Sequence, residues 1–382
     1  MSTDPIDIIN RPISVVHIAS GDLWAGAEVL LYQLAKAQHK NARIQLRIVL
    51  LNHGILEKKL IATGIPVTVI DETKTGGLRI LARLCSYLTT LSPDIVHTHR
   101  HKENILGGLA AAYCSKARSL RTVHGAPESH AAIMQVHKHL LSYADWLVGR
   151  LCQDRIVAVS AQLAERLVNQ FLENKIRIIE NGIDIDELRI AGAEPILLPG
   201  PPDAINIALI GRLVPVKRVD IFIHVAQVLK ERNNRRYAFY VFGDGPLRTD
   251  IATLVDRMNL KGQVFMLGFR NNIAAYLSKM SFLLITSEHE GLPMNLLEAL
   301  ALKIPVISRA VGGIPTVLEN GKCGVLVDGE DPRLYADAIE HSLADTARIS
   351  TSVNNGYLRL TRQYAVDHTA SQYFQLYLEM LT

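Results

Sequence analysis

Residues 285–331 read ITSEHEGLPMNLLEALALKIPVISRAVGGIPTVLENGKCGVLVDGED. The apolar runs SFLLITS (281–287) and PVISRA (305–310) predict buried strands, and PMNLLEALAL (293–302) between them predicts a helix. A strand, a helix and a strand in this order form a βαβ unit, whose two strands lie parallel in one sheet. The segment therefore predicts a parallel sheet that is covered by helices on both faces.

The same alternation extends over most of the chain. Further strands are predicted at 13–19, 46–52, 66–71, 94–99, 121–125, 205–211, 237–245 and 264–269. Further helices are predicted at 27–38, 78–91, 104–114, 219–232 and 368–381.

One proline-rich run, AGAEPILLPGPPD (191–203), interrupts the alternation, since it suits neither a helix nor a central strand. We therefore expect an α/β fold with two Rossmann-like, doubly wound domains facing across a cleft. The first covers residues 1–190 and the second 203–364, with 191–202 as the linker. The helix within 365–382 is expected to pack back onto the first domain.

Composition narrows the function classes. The 382 residues are 48% hydrophobic and 20% charged, which excludes a disordered, collagen-like or coiled-coil chain. None of the four cysteines forms a C-x-x-C pair, so neither a zinc knuckle nor a disulfide framework is expected, and a reducing cytosol fits. The start MSTDPIDIINRP does not resemble a signal peptide, and no apolar run approaches 18 residues.

The net charge of +4 is too weak to predict nucleic-acid binding. Residues 1–186 hold the whole excess of basic residues. Two interpretations stay open: an anionic ligand or membrane surface, or a chance distribution.

Two glutamates frame the predicted helix at 293–302. Glu290 and Gly291 lie in the loop before it, and Glu298 lies within it. The free amides of a helix start, together with its dipole, suit a diphosphate. The amides expected at this place are those of Met294, Asn295 and Leu296.

Two cations follow another strand, in IGRLVPVKRVD (210–220). The strand ends at Gly211, Arg212 comes next, and Lys217 precedes the following helix. Arginine and lysine at such a place suit a pyrophosphate without a metal ion. The alternative is an ordinary pair of surface cations.

The loop after the first strand, in SGDLWAGAEVLL (20–31), contains Gly21 and Gly26. Glycines let a backbone approach a phosphate closely, but this loop is not a G-x-G-x-x-G fingerprint.

Histidines form two further candidates. His124 ends a predicted strand, where it can act as a polar or acid–base contact. His97, His99 and His101 alternate and would share one face of an extended segment, as zinc ligands could. No carboxylate or cysteine joins them, so no metal site is predicted.

Together these motifs resemble the family 4 glycosyltransferases, which have the two-domain GT-B fold. Glu290 and Glu298 match the family's pair of glutamates separated by seven residues, and Gly211, Arg212 and Lys217 match its Gly-Arg…Lys motif. His124 matches its strand-end histidine. Where the family usually has Gly-Gly-x-Glu, this sequence has Ala25, Gly26, Ala27 and Glu28, so alanine replaces the first glycine of the motif. Its later G-G-x-x-E motif matches Gly312 and Gly313, and Glu319 only loosely.

The resemblance implies transfer of a sugar from a nucleotide-diphosphate donor, with a UDP-sugar as the favoured donor. It also implies retention of anomeric configuration and no metal or other cofactor. Arg212 and Lys217 would neutralise the leaving diphosphate, helped by Gly26 and the amides at 294–296. Glu290 would hold the donor sugar, and His124 would contact it from the opposite domain. Glu298 would bind the ribose, and Arg270 lies where the family's backbone pairs the base.

The resemblance also implies acceptors that are glycans or lipid-linked sugars, in polysaccharide or glycoconjugate biosynthesis in the cytoplasm. The basic segments HRHKEN (99–104) and VHKHLLSYADWLVGRLCQDR (136–155), which carries Trp146, would then touch an anionic membrane from its inner face. The alternative is a docked helix and a solvated loop.

Other functions remain as alternatives. A GT-B nucleotide-sugar epimerase or sugar phosphorylase shares the fold, but the E-G-x-P pair argues against both. An NAD-dependent oxidoreductase would need the absent G-x-G-x-x-G fingerprint. A non-catalytic sugar-nucleotide sensor would keep Arg212 and Lys217 without requiring Glu290 and His124.

Overall fold

A computed structural model of the chain describes residues 11–22, 24, 26–124, 136–232 and 235–382, except for the side chains of 136–139. The chain divides into two compact units, one of Met1–Gly182 with Val366–Thr382 and one of Ile183–Ala365. The predictions for residues 1–10, Ala25 and Gly125 lie outside the described residues.

Two parallel sheets form the framework of the described residues. The strands of the first unit are β1 Ile13–Ala19, β2 Ile44–Leu50, β3 Val67–Val69, β4 Ile95–Thr98, β5 Arg118–Val123, β6 Arg155–Ala158 and β7 Ile176–Ile178. Those of the second are β8 Ile205–Ile210, β9 Tyr237–Phe242, β10 Val264–Gly268, β11 Phe282–Ile285, β12 Val306–Arg309 and β13 Val325–Val327. The strand orders are β3-β2-β1-β4-β5-β6-β7 and β10-β9-β8-β11-β12-β13, which are doubly wound Rossmann-like topologies.

Helices connect the strands in both units. In the first they are α1 Gly26–His39, α2 Ile55–Ala62, α3 Gly77–Leu91, α4 His101–Cys114, α5 Val136–Leu151 and α6 Ala161–Val168. In the second they are α7 Ile185–Gly192, α8 Val219–Arg232, α9 Arg248–Arg257, α10 Ile273–Leu277, α11 Met294–Ala301, α12 Ile314–Val317, α13 Pro332–Ala344 and α14 Thr346–Gln363. The last helix, α15 Val366–Leu381, returns to the first unit. None of the described helices is long and apolar enough to cross a membrane.

The first sheet is covered on both faces, and every residue of its inner strand β1 is buried. Val15 packs into the hydrophobic core on one face, and Val16 and Ile18 pack into the core on the other. Alternating residues of a strand point to opposite faces, so one strand contributes to two cores. Tyr373 and Tyr377 of α15 complete the core on the Val15 face.

The proline-rich run is not a linker, contrary to the sequence prediction. Residues 191–202 lie inside the second unit, and the chain passes between units at 182–183 and 365–366. The run is anchored on the second sheet, where the Tyr240 hydroxyl donates to the carbonyl of Pro199 at 2.8 Å. The proline-rich composition of this run therefore indicates an irregular segment packed within the second unit, and not a linker between the units.

The described residues contain a disulfide, although the cysteine spacing predicts no disulfide framework. Cys85 of α3 and Cys114 of α4 form one, with their Cα atoms 5.1 Å apart. The partners are 29 residues apart in sequence, and only the packing of α3 against α4 brings them together. Cysteine usage therefore gives no argument for a reducing compartment.

Candidate active site

Each sheet reverses its strand order once, between β1 and β4 and between β8 and β11. Doubly wound sheets bind ligands at the carboxyl ends of the strands at such a point. In the second unit, these ends carry Gly211 and Arg212 after β8, and Ser287 and Glu290 after β11.

Lys217 and Glu290 form an ion pair at this edge. Lys217 Nζ lies 2.7 Å from Glu290 Oε1, and the two side chains are 19% and 8% exposed. The hydroxyl of Ser287 also donates to Glu290 Oε1, at 2.6 Å. One carboxylate oxygen thus accepts two hydrogen bonds, which orients the carboxylate.

Backbone contacts fix the loop that carries Glu290. The amide of Glu288 donates to the carbonyl of Val216 at 2.8 Å, which ties the loop to the segment carrying Lys217. The amide of Gly313 donates to the carbonyl of Gly291 at 3.1 Å. Gly312 has a φ of +58°, and a Cβ there would overlap the carbonyl oxygen of Glu290. Only glycine fits both the conformation and the space.

The start of α11 differs in two respects from the sequence prediction. Pro293 is the N-cap residue, and the helix begins at Met294. The amide of Leu296, expected to be free for a phosphate, donates to the carbonyl of Pro293 at 3.1 Å. Asn295 uses its side chain structurally, since Nδ2 donates to the carbonyl of Ile210 at 2.6 Å and so joins α11 to the end of β8.

Glu298 lies half-buried on α11, and its carboxylate has no hydrogen bond or ion pair among the described residues. Burial raises the pKa of this carboxyl to about 7, because desolvation disfavours the charged form. A carboxylate without a protein partner at a ligand-binding edge is suited to accept hydrogen bonds from hydroxyls.

The two arginines that the sequence analysis assigns to the donor, Arg212 and Arg270, are at the surface. Arg212 is exposed directly after Gly211, and Arg270 is exposed after β10 with its guanidinium 5.5 Å from the centre of the Tyr276 ring.

In the first unit, the corresponding edge carries Gly26 and His124. Gly26 is the exposed first residue of α1, with open space where a Cβ would be. His124 follows β5 directly. Its Nε2 lies 3.2 Å from Nδ1 of His99, and its own Nδ1 is buried without a hydrogen-bond partner among the described residues.

The alternating histidines do not form the set that their spacing predicts. His101 begins α4, and its Nδ1 contacts Asp145 at 2.8 Å. His17 of β1 takes its place beside His97 and His99, because His17 and His97 are in register on neighbouring strands. The ligand atoms of these three lie within 4.8 Å of one another, which is compatible with a metal ion. Each of their ring nitrogens, however, has a hydrogen-bond partner.

Ser287 and His17 are the contributors that the sequence analysis missed. Ser287 lies three residues before Glu290, at the end of a predicted strand, so its position was a usable signal. His17 lies inside an apolar strand, and only the pairing of β1 with β4 shows its neighbours.

Two family models match the chain. The family described as "Glycosyltransferase Family 4" matches residues 24–187, and "Glycosyl transferases group 1" matches residues 199–358. Between them, the two matches cover most of the chain.

Individual relatives match over most of this chain and most of their own length. The UDP-Gal:alpha-D-GlcNAc-diphosphoundecaprenol alpha-1,3-galactosyltransferase of Escherichia coli is 25% identical, over 85% of this chain and 86% of its own. The D-inositol 3-phosphate glycosyltransferase of Thermobispora bispora is 24% identical, over 97% and 89%. The crystal structure of Anabaena HepE with UDP-glucose superposes with a TM-score of 0.79 at 18% identity, covering 95% of this chain and 99% of HepE.

Proposed function

Since this chain belongs to the family 4 glycosyltransferases and has their GT-B fold, we propose that its donor substrate is a UDP-sugar. In this proposal, the sugar passes to the acceptor with retention of anomeric configuration and without a metal ion. The family activity itself is transfer from a nucleotide-sugar donor to a glycan or lipid-linked acceptor. The choice of UDP as the donor nucleotide is supported by the galactosyltransferase of Escherichia coli and by the UDP and UDP-glucose complexes of HepE.

The observation that carries this proposal is the Lys217–Glu290 pair at the carboxyl edge of the second sheet. In our proposal, Lys217 and Arg212 neutralise the diphosphate, and the amides of Met294 and Asn295 add hydrogen bonds at the start of α11. Glu290 holds the donor sugar beside them. Two cations at one strand exit supply the charge that a divalent metal would otherwise supply.

The proposed reaction needs no covalent enzyme intermediate. The bond between the anomeric carbon and the phosphate oxygen breaks, and the acceptor oxygen bonds to that carbon on the same face. The acceptor hydroxyl's proton passes to the departing phosphate oxygen. The positive charge of Lys217 and Arg212 stabilises the diphosphate as negative charge develops on it.

Further contacts complete the donor site in this proposal. Glu298 accepts hydrogen bonds from the ribose hydroxyls, and Arg270 lies near the base. Gly211 and Gly291 leave room for the donor, while Leu296 belongs to the core under the helix and supplies no amide.

Thermal-shift measurements with UDP-, GDP- and ADP-sugars, with and without EDTA, test the donor. We expect a higher melting temperature with the UDP series alone, unchanged by EDTA, since ligand binding stabilises the native state by mass action. A shift that EDTA abolishes would contradict metal independence. A shift with NAD(P)H and none with any nucleotide sugar would contradict the donor assignment.

Replacing Glu298 with glutamine is expected to raise stability and weaken donor binding. The pKa of Glu298 is raised from 4.5 to about 7, so the folded state favours the protonated carboxyl. Stability is lost as the pH rises from about 4.5 through 7, because the unfolded chain ionises more readily. The variant should therefore melt above wild type at pH 8, with the difference vanishing near pH 4.5 to 5.

The same variant loses a carboxylate that accepts from two hydroxyls, so its Kd for UDP should rise about tenfold at pH 8. Calorimetric titration with UDP and melting curves from pH 5 to 8 measure both effects. A pH-independent difference in melting temperature, or an unchanged Kd, would contradict the assignment.

We also propose that α5 contacts an anionic membrane surface that presents a lipid-linked acceptor. Leu140, Tyr143, Leu147 and Leu151 follow helical spacing and are exposed. Trp146 is not part of this stripe, because its Nε1 donates to the carbonyl of Gln170. An exposed apolar stripe with a basic Arg150 suits an anionic interface.

Flotation with vesicles of phosphatidylglycerol and phosphatidylcholine tests this contact. Wild type is expected to float with the anionic vesicles at low salt, and Leu147→Ser with Leu151→Ser is expected to reduce the bound fraction several-fold. A matched double variant on an exposed site elsewhere, Leu78→Ser with Ile61→Ser, should bind like wild type. The proposal fails if wild type does not float at low salt.

A further inference from the structure

The interior of the first unit contains a line of hydrogen-bonded side chains that ends at His124. His17 Nε2 lies 2.8 Å from Gln38 Oε1, and His17 Nδ1 lies 2.8 Å from His99 Nε2. His99 Nδ1 then lies 3.2 Å from His124 Nε2. The rings of His17 and His99 are inclined by only 12°, and those of His99 and His124 by 25°. The rings of each pair are thus nearly parallel, and a ring nitrogen of each faces a ring nitrogen of the next at hydrogen-bond distance.

All of these imidazoles are neutral near pH 7. Burial lowers the pKa of His17 and of His124 to about 4, and lowers the pKa of His99 well below its usual value. A neutral imidazole has one N–H and one bare nitrogen, so each ring passes on a fixed direction of hydrogen bonding.

Gln38 sets that direction. Its Nε2 donates to the hydroxyl of Tyr377 at 3.1 Å, which leaves Oε1, an atom that can only accept, facing His17. His17 must then carry its proton on Nε2 and accept at Nδ1 from His99. His99 in turn donates from Nε2 and accepts at Nδ1 from His124.

We infer that Gln38 is a positioning residue that fixes, through His17 and His99, the tautomer of His124 with a proton on Nε2 and a bare Nδ1. The expected effect on activity rests on the proposed function. The buried Nδ1 of His124, which has no partner among the described residues, is then a hydrogen-bond acceptor. A ligand group that reaches this nitrogen must therefore donate a hydrogen bond to it, and His124 cannot act as a general acid from that nitrogen.

Nitrogen-15 NMR of the full-length protein labelled at histidine tests the inference, because protonated and bare ring nitrogens have very different chemical shifts. The signals of His124 are identified by their loss in His124→Gln. We expect Nε2 protonated and Nδ1 bare in wild type. A protonated Nδ1 of His124 in wild type overturns the inference without any variant.

Two variants separate this role from general stability. Gln38→Leu removes the acceptor at the start of the line and should give a mixture of His124 tautomers, with kcat/KM about tenfold lower. Thr122→Val removes the hydroxyl that contacts His97 Nε2 in the same core but leaves the line to His124 intact. It should keep the wild-type tautomer and kcat/KM within about twofold. An unchanged tautomer in Gln38→Leu overturns the inference.

Two more results distinguish this inference from a metal site and from the proposed function. Stoichiometric binding of Zn²⁺ that shifts the ring nitrogens of His17, His97 and His99 would overturn it, because the rings would then be metal ligands. If no nucleotide sugar binds but the tautomers respond as expected, the hydrogen-bonded line stands and the proposed function fails.

Discussion

Replacing Lys217 with alanine is expected to lower kcat for sugar transfer about 100- to 1,000-fold. The side chain supplies one of the two cations proposed to stabilise the leaving diphosphate, and it is the ion-pair partner of Glu290 at 2.7 Å. Its removal leaves the carboxylate of Glu290, which is only 8% exposed, without that cation. The loss of the cation acts on the charge that develops in the transition state, so kcat should fall more than KM rises. The loss of the ion pair lowers the stability of the free protein instead. Steady-state kinetics with the donor identified by thermal shift measures the loss.

Two further lysine variants show whether the loss is specific. Lys261→Ala removes a lysine that is 76% exposed and paired with Asp256, and its kcat should stay within about twofold of wild type. Lys217→Arg keeps the charge but replaces a compact ammonium by a planar guanidinium, so only part of the rate should return. A Lys217→Ala enzyme within tenfold of wild type would argue against diphosphate neutralisation by this residue.

The sequence predicts those strands and helices whose apolar residues follow a clear run or period. The strand predicted at 13–19 and the helix predicted at 219–232 have the bounds of β1 and α8. Length alone does not decide the outcome, because β3 has only three residues and its segment is predicted at 66–71. The strands β6 and β7, of four and three residues, are not predicted. They exist because the sheet beside them supplies backbone partners, which is a tertiary effect.

In the candidate site, features set by local sequence are predicted, whereas contacts between residues distant in sequence are not. The spacing of Glu290 and Glu298 reflects one loop and one helix, so the sequence places both correctly on the loop and on α11. The pairing of Lys217 with Glu290 joins residues 73 positions apart and depends on β8 lying beside β11. His17 joins His97 and His99 only through strand register, and the spacing pattern pointed to His101 instead.

Replacing Gly312 with alanine is expected to lower kcat about 100-fold, although this glycine contacts no donor atom in the proposed site. Its φ is +58°, and a Cβ would overlap the carbonyl oxygen of Glu290, so the loop carrying that carboxylate must move. Misplacing a catalytic group by about 1 Å can cost about 100-fold in rate.

Gly262→Ala is the matched control, because its φ is +83° but nothing lies within 4 Å of its Cβ position. That control carries the strain of a left-handed alanine, about 1 kcal/mol, and should lower the melting temperature while leaving kcat unchanged. If Gly312→Ala loses stability but no more activity than Gly262→Ala, then the position of Glu290 is not what limits the rate.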